Sequence, residues 1–225
     1  MIFNHKYEPK KEIGRGAYGT IYKVVDNINN KFYALKFIFN QNKIEKNVFK
    51  EDYEKEAEIM KKIKNRYIIK LIDNFYDEIN KGYCIVMELC DEDLRKILNR
   101  YKPNGLPLNI INIIFYQLNE ALKAMREKNY THRDLKPENI LIKYSDKNKI
   151  NFDIKLTDFG LSTDEINSTI HTFSQAGSPL YWAPEVGVEN PRYNNQCDLW
   201  SLGVILCELY TNKYIFDDNT IEKKN

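Results

Sequence analysis

The apolar residues of this chain change period part-way along its length, and that change limits the folds open to it. Over roughly the first 85 residues the reading is mainly strand: "KKEIGRGAYGTIYKVVD" and "KFYALKFIF" alternate apolar and polar residues around turn glycines, and "GYCIVMELC" (82–90) adds a further strand. One segment breaks the series. "NVFKEDYEKEAEIMKKIK" is rich in helix formers and repeats apolar residues at Ala57, Met60 and Ile63. After Cys90 the period becomes helical. In "PLNIINIIFYQLNEALKAMREKN" the apolar residues fall at 111, 114, 115, 118, 121, 122 and 125, one stripe that core packing explains without a cofactor. The chain therefore reads as α+β with a boundary near Cys90–Asp93. A small β-rich part with one long helix covers 1–90, and a larger, mainly α part covers 91–225.

Composition excludes more than it identifies. A net charge of +2 points to no nucleic-acid partner and no polybasic membrane contact. Lys, Asn and Ile make up about a third of the chain, but they spread over every segment, as a coding bias does and a functional patch does not. Cys84, Cys90, Cys197 and Cys207 lack metal-type C-x-x-C spacing. The opening "MIFNHKYEPKK" has no apolar core of a signal peptide and no myristoylation glycine. "LWSLGVILCELY" (199–210) is too short to span a bilayer and reads as a buried helix. The expected location is a reducing compartment, cytoplasmic or nuclear.

Five stretches carry chemistry. "GRGAYG" supplies Gly14, Gly16 and Gly19 between two strands, where backbone N–H groups can approach a phosphate closely. A glycine-rich hairpin without a ligand reads the same way. The dinucleotide-binding form would open a helix, whereas here "TIYKVV" continues as a strand, and the closing Gly-Lys-Ser/Thr of a P-loop is absent. Lys36 in "YALK" lies mid-strand, where a solvated lysine is the ordinary reading. In "THRDLKPEN" (131–139), Asp134 can accept a proton from an attacking hydroxyl, Lys136 can steady phosphoryl oxygens, and Asn139 can offer an amide oxygen to a hard cation. "IKLTDFGLS" adds Asp158 as a second oxygen ligand, and "GSPLYWAPE" (177–185) ends a polar loop.

Taken together and in this order, these motifs resemble the eukaryotic-type protein kinase catalytic domain, a bilobal fold, and the resemblance runs from Gly14 to the helix "DLWSLGVILCELYTNKYIF". It implies transfer of the γ-phosphoryl group of ATP, with Mg²⁺, to a hydroxyl of a protein substrate. Asp134 would orient the nucleophile, Lys136 would neutralise charge, and Asn139 and Asp158 would hold the metal. Lys36 would pair with the α- and β-phosphates and be held by Glu56, the helix carboxylate in family register, with Glu54 and Glu58 on other faces. Ile21, Ala34 and Leu141 would flank the adenine, Met87 would stand behind it, and Glu88 and Cys90 would offer backbone hydrogen bonds. Asp93 is the ribose-edge candidate. His132, Phe159, Met60 and Leu71 would form a stacked column anchored by Asp198.

"DLKPEN" with Lys136, and Ser178 in the position whose hydroxyl usually bridges Asp134 and Lys136, resemble serine/threonine kinases. "GSPLYWAPE" and "IKLTDFGLS" are similar to the calcium/calmodulin-dependent and autophagy-initiating groups, while "LCDEDL" is closer to cyclin-dependent kinases. Because Arg133 precedes Asp134, an activating phosphate is expected, from an upstream kinase or autophosphorylation. Ser174 is the first choice, with Thr172 and Ser168 as alternatives. The chain stops at "DDNTIEKKN", where the family adds C-terminal helices and an arginine that pairs with the glutamate matching Glu185. A buried, unpartnered Glu185 and a less stable second lobe are the expected consequences. The competing reading is a catalytically impaired fragment that binds nucleotide or a partner.

Overall fold

The structure, a computed structural model, describes residues 2–16, 19–39, 46–164, 178–186 and 195–216. Its contacts divide into two units, Met1–Lys64 with Ile69–Cys90, and Asn65–Ile68 with Asp91–Asn225. Residues 65–68 go with the second unit for a hydrogen-bonding reason. Leu156 N–H donates to the Tyr67 carbonyl at 2.8 Å, Ile68 bridges Leu156 in parallel, and the Asn65 amide donates to the Glu120 carbonyl at 3.3 Å.

The first unit is a five-stranded antiparallel sheet with one helix. Its elements are β1 (Tyr7–Gly16), β2 (Gly19–Asp26), β3 (Phe32–Phe39), α1 (Lys46–Lys62), β4 (Leu71–Asp77) and β5 (Gly82–Glu88), in sheet order β1-β2-β3-β5-β4. The register separates two faces. Tyr22 opposes Leu35, Val24 opposes Tyr33, and Leu35 and Phe37 oppose Val86 and Cys84. This face closes over a buried cluster of Val24, Leu35, Phe37, Cys84 and Val86 together with Phe3 and Tyr7. Phe3 lies 5.2 Å from the Phe37 ring, Tyr7 stacks on Phe75 at 5.9 Å, and the Tyr7 hydroxyl donates to Asp73 at 2.9 Å. Backbone bonds fix the segment: Asn27 N–H donates to the Lys6 carbonyl at 3.0 Å, and Asn4 N–H donates to Asp77 at 2.8 Å. On α1 the buried residues Tyr53, Glu56, Ala57, Ile59 and Met60 share a helical stripe, and Ile63 continues it past the helix end.

The second unit contains β6 (Glu92–Asp93), α2 (Leu94–Tyr101), α3 (Leu108–Arg126), β7 (Tyr130–Thr131), β8 (Ile140–Tyr144), β9 (Phe152–Leu156), β10 (Thr163–Asp164) and α4 (Gln196–Thr211). Strands β6, β8 and β9 form one small sheet in that order, and β7 pairs with β10. On α3 the stripe differs from expectation at one position. Phe115 is exposed, and Gln117 is buried instead. The reason is β9, an edge strand: the Gln117 amide donates to the Phe152 carbonyl at 3.1 Å and accepts from Ile154 N–H at 2.7 Å, occupying the strand's free edge.

Two further expectations are corrected. The helix read as buried, α4, is buried along one face only, with Ser201, Leu202, Ile205 and Leu209 inside and Leu199, Trp200 and Tyr210 exposed. Glu185, in the 3₁₀ turn Pro184–Val186, is exposed, so its carboxylate is solvated and the penalty expected for a buried, unpaired charge does not arise. Among the described residues no helix is long and apolar enough to cross a membrane.

Candidate active site

In the first unit Lys36 sits mid-β3, opposite Ile21 on β2 and Ile85 on β5, so its own face of the sheet is apolar. Its Nζ lies 2.9 Å from each carboxylate oxygen of Glu56 on α1, and the two residues are only 7 % and 4 % exposed. A lysine in such surroundings keeps its charge only beside a partner. Glu54 and Glu58 are exposed on the helix, and Glu58 pairs with Lys62 at 2.8 Å. Ala34 and Met87 oppose each other, both buried, on the face that also carries Lys36 and Ile21. Glu88 N–H donates to the Lys70 carbonyl at 3.0 Å, so of its backbone groups the N–H is already engaged. Cys90 is half-buried at the end of the unit.

The glycines of the β1–β2 hairpin have different reasons for being there. Gly19 has φ +142°, and a Cβ there would meet the Phe37 carbonyl oxygen at 2.3 Å, so the fold itself requires glycine. Gly14 faces Ile21 at ordinary contact distance, and a Cβ at Gly16 would meet nothing within 4 Å. The fold does not demand glycine at 16, whereas a close-approaching phosphate would. Gly19→Ala is therefore expected to lower stability by about 1–3 kcal/mol. Gly16→Ala is expected to leave the denaturation midpoint unchanged and to weaken nucleotide binding, as titration with a fluorescent ATP analogue would show.

In the second unit the catalytic loop is built on a buried carboxylate. Asp198, in the first turn of α4, accepts His132 N–H at 2.7 Å and Arg133 N–H at 2.9 Å, which holds Arg133 at φ +73°. Burial pushes the Asp198 carboxyl pKa up, against the opposing pull of His132 and those two donors. His132 is fixed at both ring nitrogens. Nε2–H donates to the Thr157 carbonyl at 3.0 Å, and Nδ1 accepts Asp134 N–H at 3.3 Å. Its ring also packs 5.3 Å from Phe159.

Asp134 is 6 % exposed and gripped on one oxygen: Lys136 Nζ lies 2.6 Å from Oδ2 and the Asn139 amide donates to the same atom at 2.9 Å. Neither contact involves Oδ1. The other Asn139 amide hydrogen goes to the Asp134 carbonyl at 2.8 Å, which fixes the side-chain flip and turns the amide oxygen away from Asp134. Thr157 N–H donates to the Asn139 carbonyl at 3.0 Å, and Ile140 pairs with Leu156. These bonds bring Asp158, held at φ +68°, beside Asn139.

One amide oxygen and one carboxylate make a hard donor set. Among the described residues no group of three or more His, Cys, Asp or Glu forms a metal cage. That sparse set fits Mg²⁺, which keeps several waters and takes substrate phosphates alongside one or two carboxylates.

The remaining residues named from the sequence fall as follows. Asp93 opposes Leu141, but its carboxylate caps α2, accepting Lys96 N–H at 2.9 Å and pairing with the Lys96 ammonium at 2.8 Å. Ser178 makes no hydrogen bond to Asp134 or Lys136 among the described residues, and Lys136 reaches Asp134 directly. Ser174, Thr172 and Ser168 lie outside the described residues. The sequence reading missed a cluster of Arg95, Glu138, Tyr181 and Glu208, in which Tyr181 and Glu208 are buried, Arg95 is half-buried and Glu138 is exposed. Its sequence signal is Glu208, a charged residue within the largely apolar run 199–210.

A lysine–carboxylate pair in the sheet unit, together with an Asp-Lys-Asn loop and a following aspartate, defines a phosphotransferase of the protein kinase class. The chain belongs to the protein kinase domain family, whose model matches residues 7–225. It is 36 % identical over 209 residues to serine/threonine-protein kinase TIO of Arabidopsis thaliana, covering 93 % of this chain and 15 % of that protein. With serine/threonine-protein kinase 33 of Mus musculus the identity is 34 % over 217 residues, covering 94 % of this chain and 43 % of the relative. With probable serine/threonine-protein kinase nek1 of Dictyostelium discoideum it is 32 % over 228 aligned positions, covering 94 % and 45 %. The chain thus spans less than half the length of these curated relatives.

Proposed function

We propose that this chain transfers the γ-phosphoryl group of ATP to serine and threonine hydroxyls of proteins. The observation that carries the reading is the state of Asp134: one oxygen is gripped by both Lys136 and Asn139, and neither of them engages the other oxygen. A substrate hydroxyl attacks the γ-phosphorus, its proton passes to the Asp134 carboxylate, and the bond from γ-phosphorus to the bridging oxygen breaks to release ADP. Lys136 neutralises charge gathering on the phosphoryl oxygens. Lys36, oriented by Glu56, meets the α- and β-phosphates. Asn139 and Asp158 would hold Mg²⁺, which when bound spreads positive charge over the phosphate oxygens.

The retained Lys36, Asp134 and Asp158 support turnover over a binding-only role. Arg133 and the family resemblance support activation by a phosphate on Ser174, placed by an upstream kinase or by the chain itself. A cytoplasmic or nuclear setting is in keeping with four free cysteines.

Transfer of ³²P from ATP to a generic basic protein, compared between wild type and Asp158→Asn, tests the proposal. Label is expected on Ser and Thr, and the variant is expected to lose about 10²–10³ in rate. Wild-type levels of transfer by Asp158→Asn would remove the metal role, and absence of transfer by wild type would remove the activity.

A further inference from the structure

The cluster missed by the sequence reading joins three elements of the second unit at Arg95 on α2. Arg95 Nε donates to Glu138 at 2.7 Å, Nη1 to Glu208 Oε1 at 2.5 Å and Nη2 to the Tyr181 hydroxyl at 2.6 Å. The Tyr181 hydroxyl in turn donates to Glu208 Oε2 at 2.6 Å, and the guanidinium lies 5.2 Å from the Tyr214 ring. Tyr181 and Glu208 are 3 % and 2 % exposed. Burial and the Glu208 carboxylate raise the Tyr181 pKa, so the hydroxyl stays a neutral donor. A planar guanidinium can serve three acceptors in fixed directions at once, which a single ammonium cannot.

The partners are not scattered. Glu138 lies in the 3₁₀ turn Pro137–Asn139, immediately before Asn139. Tyr181 ends the turn Pro179–Tyr181, which follows Ser178. Glu208 stands on α4, the helix whose Asp198 already fixes the catalytic loop at His132 and Arg133. Through Arg95, α4 holds the same loop a second time, at its far end, and ties segment 178–186 to it.

We propose that Arg95 is a positioning residue for the phosphoryl-acceptor side of the reaction, setting the Glu138–Asn139 turn and the Tyr181 segment in one register against Glu208. The proposal rests on the kinase reading above. A stability clamp alone would give the same contacts, so the test must separate the two. The single variant Arg95→Met leaves Glu208 buried without its cation and is expected to fold poorly. Arg95→Met combined with Glu208→Gln removes both charges and keeps the packing.

In the 225-residue chain this double variant is expected to melt close to wild type and to keep its KM for ATP within about twofold. Phosphorylation of a protein acceptor should nevertheless fall about tenfold or more, since small displacements of reacting groups are costly. Amide exchange at Asn139 and across 178–186 should be faster. A folded double variant with wild-type acceptor phosphorylation would overturn the proposal, as would loss of ATP affinity in step with loss of transfer. If wild type itself transfers no phosphate, the kinase reading fails separately. The exchange measurement then decides alone: unchanged protection at Asn139 and 178–186 overturns the role of Arg95, and faster exchange supports it.

Discussion

Lys36→Met is expected to lower folding stability by about 3–5 kcal/mol and to reduce phosphoryl transfer by about 10²–10³. From sequence alone the substitution should affect activity and spare the fold. Burial changes that. Glu56 is 4 % exposed, and both its carboxylate oxygens are taken up by the ammonium. Without the lysine the buried Glu56 carboxylate loses both of these contacts. The two effects separate in Lys36→Met combined with Glu56→Gln, which removes both charges of the pair. Chemical denaturation should return most of the lost stability, while transfer stays at the level of the single variant. A single variant as stable as wild type would show that the pair is not buried in solution. A double variant that regains activity would remove Lys36 from the reaction.

Asp198→Ala is expected to cost about 2–6 kcal/mol, the sum of two buried N–H groups left without acceptors at about 1–3 kcal/mol each. Those groups belong to His132 and Arg133, and the second sits in the left-handed region, a conformation that persists only when its surroundings enforce it. Loss of the carboxylate should therefore disorder the loop that carries Asp134 and Asn139, and phosphoryl transfer should fall with stability. Denaturant titration measures the first effect, and kcat on the folded fraction measures the second. A loss below about 1 kcal/mol would mean that water replaces the carboxylate, contrary to the burial of Asp198.

Legibility from sequence follows the range of the interactions involved. Strand alternation and the α3 stripe are local periodicities, and they carried the α+β reading and most of the core. Gln117 escaped because its burial depends on the open edge of β9, which no period in α3 records. Glu56 was reached through family register, which periodicity does not supply, and its burial could not be read from a charged, lysine-rich helix. Asp93 illustrates a competing use: an acid one residue before a helix serves as its cap whatever else it does. The Arg95 cluster joins residues from 95 to 208, and in sequence each member is an ordinary polar residue.

Phe3 has a practical consequence. The family model begins at residue 7, yet Phe3 is fully buried and packs against Phe37 and Tyr22. A protein trimmed to the stretch that kinship recognises would open a hole over the outer face of its own sheet. The Asn4 and Lys6 backbone bonds that hold the strand ends would go as well. In this domain the stretch that the family model matches starts later than the stretch that packs.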